Sequence, residues 1–275
     1  MHGLGNDFVL LDLISQNISI QEDQIRTLAD RRLGVGFDQL LTVEPPDDPD
    51  VDFKYRIYNA DGSEAEQCGN GARCFLRFVK DRGLTTKTQI KLQTNTGIIE
   101  CRLEPDGNIC VNMGAPVLEP QKIPFQANKA QILYDLEVSL PNCPETKTIN
   151  VSAISIGNPH AVIKCDDIEL APVAQVGSAI ENHSRFPQRV NVGFMQVLDR
   201  SHIALRVFER GVGETSACGT GACAAVVAGR LQGLLDPTVE VNLRGGKLKI
   251  TWQGDDSPVM MTGPACRVYE GRLHI

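Results

Sequence analysis

The segment Cys68-Gly69-Asn70-Gly71-Ala72-Arg73-Cys74 returns 150 residues later as Cys218-Gly219-Thr220-Gly221-Ala222-Cys223. Counting back four residues from each first cysteine gives Glu64 and Glu214, and counting back nine gives Asn59 and Glu209. Three further echoes keep the same order. Gly5-Asn6-Asp7-Phe8-Val9 resembles Gly157-Asn158-Pro159-His160-Ala161-Val162, at an offset of 152. Gly36-Phe37-Asp38-Gln39 resembles Gly193-Phe194-Met195-Gln196 at 157, and Gly114-Ala115-Pro116 resembles Gly263-Pro264-Ala265 at 149. Recurrent glycine turns could explain any one pair. Four ordered pairs at nearly one offset point instead to a duplicated domain, which predicts two related lobes with a cleft between them.

Each copy carries the same local signals. Asp52 to Tyr58, Gln89 to Gln93, Ile98 to Leu103 and Ile109 to Met113 are short, alternating or β-branched runs, as are Ala204 to Phe208, Val239 to Leu243 and Lys247 to Trp252; these read as strands. After each repeated cysteine the apolar spacing becomes helical: Ala72, Phe75, Leu76 and Val79 match Ala222, Ala225, Val226 and Gly229. Gly83 and Gly233 are placed to stop these helices. Ser19-Ile20-Gln21-Glu22 reads as a capping box for a further helix through Ile25 and Leu28, closed near Gly34. The fold class is therefore α+β. The N-terminal lobe is expected over 1–117 and the C-terminal lobe over 118–263, with 264–275 packing back on the first.

Composition narrows the function. With 42% apolar and 22% charged residues the chain reads as an ordinary globular protein. A net charge of −7 without a Lys/Arg block argues against nucleic acid as a partner. No apolar run approaches the roughly 18 residues of a membrane span, and Met1 to Asp7 carry no basic-then-apolar signal, so no membrane partner and a cytoplasmic location are expected. The nine cysteines lack paired Cys-x-x-Cys units, so free thiols are expected and no metal.

The two repeated cysteines carry the chemistry. Each precedes a Gly-x-Gly segment that opens a helix, where unsatisfied backbone N–H groups converge. Such a place favours anions, so it is expected to lower the thiol pKa toward neutrality and to offer donors to a carboxylate. The glycines are expected to let the backbone approach a ligand. If the lobes face one another, a sulfur stands on either side of whatever lies between. One cysteine, as thiolate, can then remove an α-proton from one face while the other, as thiol, delivers a proton to the opposite face. Convergent N–H groups would stabilise the carbanion at the substrate carboxylate. The chain offers neither a phosphate-cradling nor a dinucleotide glycine motif, so no cofactor is expected.

The chain resembles the diaminopimelate epimerase family over nearly its whole length. The motifs that carry the resemblance are Met1 to Phe8, Asn59 to Ser63 with Cys68 to Gly71, Gly157 to His160, and Glu209 to Thr215 with Ala217 to Gly221. It implies two lobes, each a β-barrel-like sheet around a central helix. It also implies cofactor-free interconversion of LL- and meso-2,6-diaminopimelate, in lysine and peptidoglycan precursor synthesis. By the same resemblance Cys68 is the proton donor and Cys218 the acceptor in the LL-to-meso direction, labels that reverse with the reaction. Asn6, Gln39, Asn59, Gly69, Asn70, Asn158, Asn191, Glu209, Arg210, Gly219 and Thr220 are implied to bind substrate, His160 and Glu209 to tune the thiols, and Tyr269 to lie at a homodimer interface. An arginine pairs bidentately with a carboxylate and a glutamate accepts from an ammonium, which suits a substrate with two amino-acid ends. Members of that family usually carry a few residues ahead of Met-His-Gly; here the chain begins at that methionine, which bears on local stability near Asn6.

Other roles are assigned more simply. Cys74, Cys101, Cys110, Cys143, Cys165, Cys223 and Cys266 are expected to be small buried hydrophobes. His2, His183, His202 and His274 are expected at the surface or in satisfied structural positions, and Glu64 and Glu214 as turn carboxylates near the helices. Two competing functions remain: a proline racemase-like or hydroxyproline epimerase, which typically shows Cys-Gly-His where this chain has Cys68-Gly69-Asn70, and a thiol redox switch joining Cys68 to Cys218 without turnover.

Overall fold

The computed structural model describes residues 1–65, 68–140 and 145–273, so the assignments of Cys143 and His274 fall outside the described residues. The chain divides into two compact units, Met1–Asn112 with Thr262–Ile275, and Met113–Met261.

The first unit runs β1 (His2–Gly3), β2 (Asn6–Asp12), α1 (Glu22–Ala29), β3 (Gln39–Glu44), β4 (Phe53–Asn59), β5 (Glu64–Ala65), α2 (Gly69–Asp81), β6 (Gln89–Thr94), β7 (Gly97–Leu103) and β8 (Ile109–Asn112). Strand β2 lies antiparallel to β1 and parallel to β3; β3 and β5 flank β4 antiparallel, β6 joins β4 parallel, and β7 and β8 continue antiparallel. Along β4 the pleat buries Phe53, Tyr55 and Ile57 and leaves the residues between them partly exposed. Helix α2 touches β1, β2 and β3 from one end of this ladder and β7 and β8 from the other, so the sheet curls around it. Ala72, Phe75, Leu76 and Val79 are its fully buried stripe. Phe75 meets Tyr55 edge-on at 5.2 Å between ring centroids. Gly83, at φ +69, ends the helix in the left-handed conformation, and the Leu84 N–H donates back to the Val79 carbonyl at 2.9 Å.

The second unit runs β9 (Tyr134–Val138), β10 (Lys147–Ser155), β11 (Pro159–Lys164), α3 (Val173–Glu181), β12 (Asn191–Asp199), β13 (His202–Glu209), β14 (Gly213–Thr215), α4 (Gly219–Leu231), β15 (Thr238–Leu243) and β16 (Gly246–Thr251). From β10 to β16 the pairings repeat those of β1 to β7 strand for strand: antiparallel, parallel, antiparallel, antiparallel, parallel, antiparallel. Ala222 through Ala228 are all fully buried, so α4 has no solvent face in this stretch and sits inside its sheet as α2 does. Even an ion pair is duplicated. Arg56 grips Glu64 across β4 and β5 at 3.0 and 2.8 Å, and Arg206 grips Glu214 across β13 and β14 at 2.7 and 3.0 Å. Glu64 and Glu214 are thus cross-strand partners in short strands rather than turn carboxylates, because each needs a neighbouring strand to present its arginine.

Two expectations shift in register. Helix α1 is capped two residues later than Ser19: the Gln24 side chain accepts from the Gln21 backbone N–H at 2.8 Å, and Ser19 only receives the Gln21 amide at 3.1 Å. The echo of Gly36–Gln39 in Gly193–Gln196 is not a structural equivalence. Gln39 stands opposite Phe8 in the β2–β3 ladder, and Asn191 stands opposite His160 in the β11–β12 ladder. Asn191 is therefore the counterpart of Gln39, at the same offset of 152 that relates Phe8 to His160. Gly36 belongs to an irregular approach with φ +75, whereas Gly193 lies within a strand. Among the described residues no helix is long and apolar enough to cross a membrane.

Candidate active site

Cys68 and Cys218 occupy the same place in the two units: each is the extended residue that caps a thirteen-residue helix, with φ −141 and −118. Each cysteine carbonyl accepts the first helical bond, from Ala72 at 2.9 Å and from Ala222 at 3.0 Å. The Cys68 sulfur fills the role an N-cap oxygen usually takes, accepting from the Gly71 N–H at 3.4 Å, whereas the Cys218 side chain makes no such cap bond and stands beside the Thr220 hydroxyl. The second glycine of each motif serves internal packing. A Cβ on Gly71 would lie 2.4 Å from the Tyr55 hydroxyl, and one on Gly221 would lie 3.0 Å from Val207. Room for a ligand is thus not what these two positions require glycine for.

In the first unit, polar side chains gather around Cys68. Asn6 presents its carbonyl oxygen to the sulfur at 3.7 Å and to the Asn70 amide at 3.3 Å. The Tyr55 hydroxyl donates to the Cys68 carbonyl at 3.2 Å. Gln39 donates to the Asn59 carbonyl oxygen at 3.0 Å, and Asn59 donates to Ser63 at 3.1 Å. Gly69 forms the first helical residue. Asn6, Gln39, Asn59, Gly69 and Asn70 therefore share one end of this unit with Cys68.

The second unit assembles its own set. Cys218 lies 3.5 Å from the Thr220 hydroxyl, next to Gly219 at the helix start. Glu209, the counterpart of Asn59, closes β13 and receives a hydrogen bond from Thr215. Asn191 accepts from the Arg210 N–H at 2.9 Å and donates to the Pro159 carbonyl at 3.2 Å. The Arg210 guanidinium donates to the Gln188 carbonyl at 2.9 Å. Asn158 holds His160 through its carbonyl oxygen, 3.0 Å from Nε2. Thr215 closes the Glu209 to Thr215 motif but has no role assigned from sequence, since its contact with Glu209 follows only from the pairing of β13 with β14.

Electrostatics in the second unit runs against the expectation from the helix terminus. Burial first, and then the Glu209 carboxylate, hold the Cys218 thiol well above its ordinary pKa, against the opposing Thr220 hydroxyl and Gly221 N–H. The expected lowering toward neutrality is therefore overturned for Cys218: at 4% exposure, loss of water outweighs what the helix terminus supplies. Burial, then the nearby Arg210 charge, push His160 down to about 3, so it is a neutral ring with Nδ1 unpartnered among the described residues. Glu209→Gln removes the charge while keeping the shape, and it is expected to raise the rate of iodoacetamide alkylation at Cys218 about tenfold at mildly alkaline pH. Peptide-resolved mass spectrometry reads this directly; an unchanged rate would mean that Glu209 does not tune the thiol.

The remaining cysteines divide. Cys74, Cys101, Cys110 and Cys223 are buried, Cys165 is half-buried, and Cys266 is exposed. Cys266 thus departs from the small-hydrophobe expectation; its backbone pairs with His2 at 2.9 Å in both directions. It lines an open depression of about 450 Å³ with Arg77, Asp81, Ala265 and Arg267, none of which belongs to the set around Cys68. Tyr269 is exposed.

Comparison with known proteins bears on this arrangement. A family model described as diaminopimelate epimerase matches residues 1–119 and 152–268. Diaminopimelate epimerases of Ectopseudomonas mendocina (strain ymp) and Azotobacter vinelandii (strain DJ / ATCC BAA-1303) are 59% and 58% identical over 275 residues, covering 100% of this chain and 98% of each relative. Among solved structures, a Bacillus anthracis phenazine biosynthesis protein of the PhzF family superposes with a TM-score of 0.67 at 16% identity, covering 100% of this chain and 95% of its own. A hydroxyproline epimerase from Agrobacterium vitis gives 0.65 at 14%, covering 95% and 87%. These two are likenesses of fold.

Proposed function

Because this chain belongs to the diaminopimelate epimerase family, we propose that it inverts one α-carbon of 2,6-diaminopimelate, interconverting the LL and meso forms, with Cys68 and Cys218 as its acid/base pair. The observation that carries this reading is the duplicated cysteine cap, found once in each unit with its own polar set. The reading requires the two sulfurs to stand on opposite sides of one α-carbon. In the LL-to-meso direction the Cys218 thiolate takes the α-proton and becomes a thiol. The electron pair left on carbon is then protonated on the other face by the Cys68 thiol, which becomes the thiolate. The pair ends with protonation states exchanged and resets by exchange with solvent or by running in reverse.

A thiol whose pKa is held high yields a strong base once ionised, at the expense of the fraction ionised. A substrate ammonium beside Glu209 would offset one of the two causes of that elevation. In this reading Arg210 pairs with a substrate carboxylate, and Gly219, Thr220, Asn158 and Asn191 supply further donors and acceptors; Asn6, Gln39, Asn59, Gly69 and Asn70 do so in the first unit. His160, neutral, orders Asn158. No cofactor takes part in this scheme. The same reading makes the protein a cytoplasmic homodimer with Tyr269 at its interface, a role to which the exposure of Tyr269 and Val268, 64% and 62%, lends support.

Incubation with LL-diaminopimelate in deuterium oxide tests the scheme. Meso product carrying deuterium at one α-carbon is expected, since the delivered proton comes from a solvent-exchanged thiol. Absence of both conversion and exchange would reject it.

A further inference from the structure

Two ions lie at the ends of a hydrogen-bond chain that passes the Cys68 sulfur. At one end is Arg73, one helical turn beyond the capping cysteine and fully buried. Its guanidinium donates from one terminal nitrogen to the Asn70 carbonyl oxygen at 2.9 Å and from Nε to the Pro264 carbonyl at 3.1 Å. At the other end is Asp38, just ahead of β3 and half-exposed. Its Oδ2 accepts from the Asn6 amide at 3.0 Å and from the Asp7 N–H at 3.0 Å, and its Oδ1 from Arg31 at 2.7 Å. Arg31 also holds Asp7 bidentately at 2.8 and 2.9 Å.

A guanidinium can only donate and a carboxylate can only accept. Arg73 therefore fixes which end of the Asn70 amide faces it, turning the Asn70 NH2 toward Asn6. Asp38 fixes the Asn6 NH2 toward itself. Both constraints demand the same thing of Asn6: its carbonyl oxygen must point inward, to Asn70 and to the Cys68 sulfur. An acceptor beside sulfur favours S–H over S⁻, whereas an amide NH2 in the same place would do the reverse. Gly3 leaves room for this packing, because a Cβ there would lie 3.1 Å from the Arg73 guanidinium and 3.3 Å from the Asn70 backbone carbonyl.

We propose that Arg73 and Asp38 are positioning residues that lock the Asn70 and Asn6 amides in one orientation, so that an acceptor faces Cys68 and keeps it protonated as the proton donor. This rests on the acid/base reading given above for the role, though not for the geometry. The duplicated half lacks the lock: Thr220 stands for Asn70, Cys223 for Arg73 and Val190 for Asp38. The two charges are thus present in one copy and replaced by uncharged residues in the other. Other titratable groups that bear on Cys68 include Tyr55 from β4, Cys74 from α2, and Asp7 with Arg31 behind Asn6.

Asp38→Asn tests the lock, since an amide can offer Asn6 either end and the residue is exposed enough to change without loss of the core. Peptide-resolved alkylation of Cys68 by iodoacetamide is followed across pH in the substrate-free protein, with Cys218 as internal reference. The expected result is a Cys68 profile displaced toward acid, about fivefold faster below its midpoint, the effect of one hydrogen bond to sulfur, with the Cys218 profile unmoved. Arg73→Lys, which keeps a buried cation and a donor, is expected to stay closer to the wild type than Arg73→Met. An unmoved Cys68 profile in both Asp38→Asn and Arg73→Met would overturn the proposal. Alkylation needs no turnover, so this result stands apart from the deuterium experiment: wild-type turnover with an unmoved profile removes the lock alone, and a displaced profile without turnover removes the epimerase reading alone.

Discussion

Replacing Cys68 or Cys218 by alanine is expected to slow epimerisation of diaminopimelate by about a thousandfold or more, within the range supplied by a positioned acid or base. The loss should be similar at both positions, because inversion needs removal on one face and delivery on the other, and neither sulfur can perform both. Each cysteine is also an N-cap residue, and at Cys68, whose sulfur accepts from the Gly71 N–H, removing the cap acceptor costs about 1 kcal/mol. Serine separates these effects. A hydroxyl keeps an acceptor for the Gly71 N–H and a small polar group at the Cys218 position, but it is far too weak an acid to ionise at neutral pH. Cys68→Ser and Cys218→Ser should therefore melt close to the wild type and still be inactive. If either serine or alanine variant keeps a tenth or more of the wild-type rate with its fold intact, the paired-thiol mechanism is wrong.

Much of this site could be read from the chain because the duplication wrote it twice. The Gly83 and Gly233 stops, the central helices and the strands that flank them follow from local rules of period and capping, and they fell where those rules put them. What local rules missed depends on neighbours distant in sequence. Helix α3 escaped notice: it has Pro172 at its cap, no side-chain cap bond and Gly177 at its middle. Gly177 looks like a helix breaker until Phe208 is seen against it, 2.6 Å from where a Cβ would stand. The misplaced echo of Gln39 has the same origin, since only the ladder reveals that Asn191 is its partner. The Cys218 pKa ran against expectation because a helix N-terminus is visible in sequence and complete burial is not. Arg73 was legible as a charge within the repeated motif, yet only packing shows it to be fully buried.

Acid is expected to unfold the second unit through His160 before it acts through the carboxylates. The ring is buried and neutral, with its pKa pushed from 6.5 down to about 3, first by burial and then by Arg210. An unfolded chain takes up this proton as pH falls through 6.5, while the folded one refuses it until about 3. The stability associated with the neutral ring is therefore whole above pH 6.5 and is lost progressively down to about 3. By about pH 4.5 the loss amounts to roughly 3 kcal/mol, at about 1.4 kcal/mol per pH unit. Carboxylates such as Asp52, where burial is outweighed by Lys87 and the Lys91 N–H, sit below 3.8 and act only under more acidic conditions. Trp252, the single tryptophan, is buried in the second unit and reports on that unit alone. Urea unfolding followed by its fluorescence, at about pH 7 and about pH 4.5, should show the wild type losing some 2–3 kcal/mol more than His160→Gln, which cannot titrate. Equal acid losses in the two proteins would show that His160 carries its proton when folded, and its assignment as a neutral ring beside Arg210 would have to be abandoned.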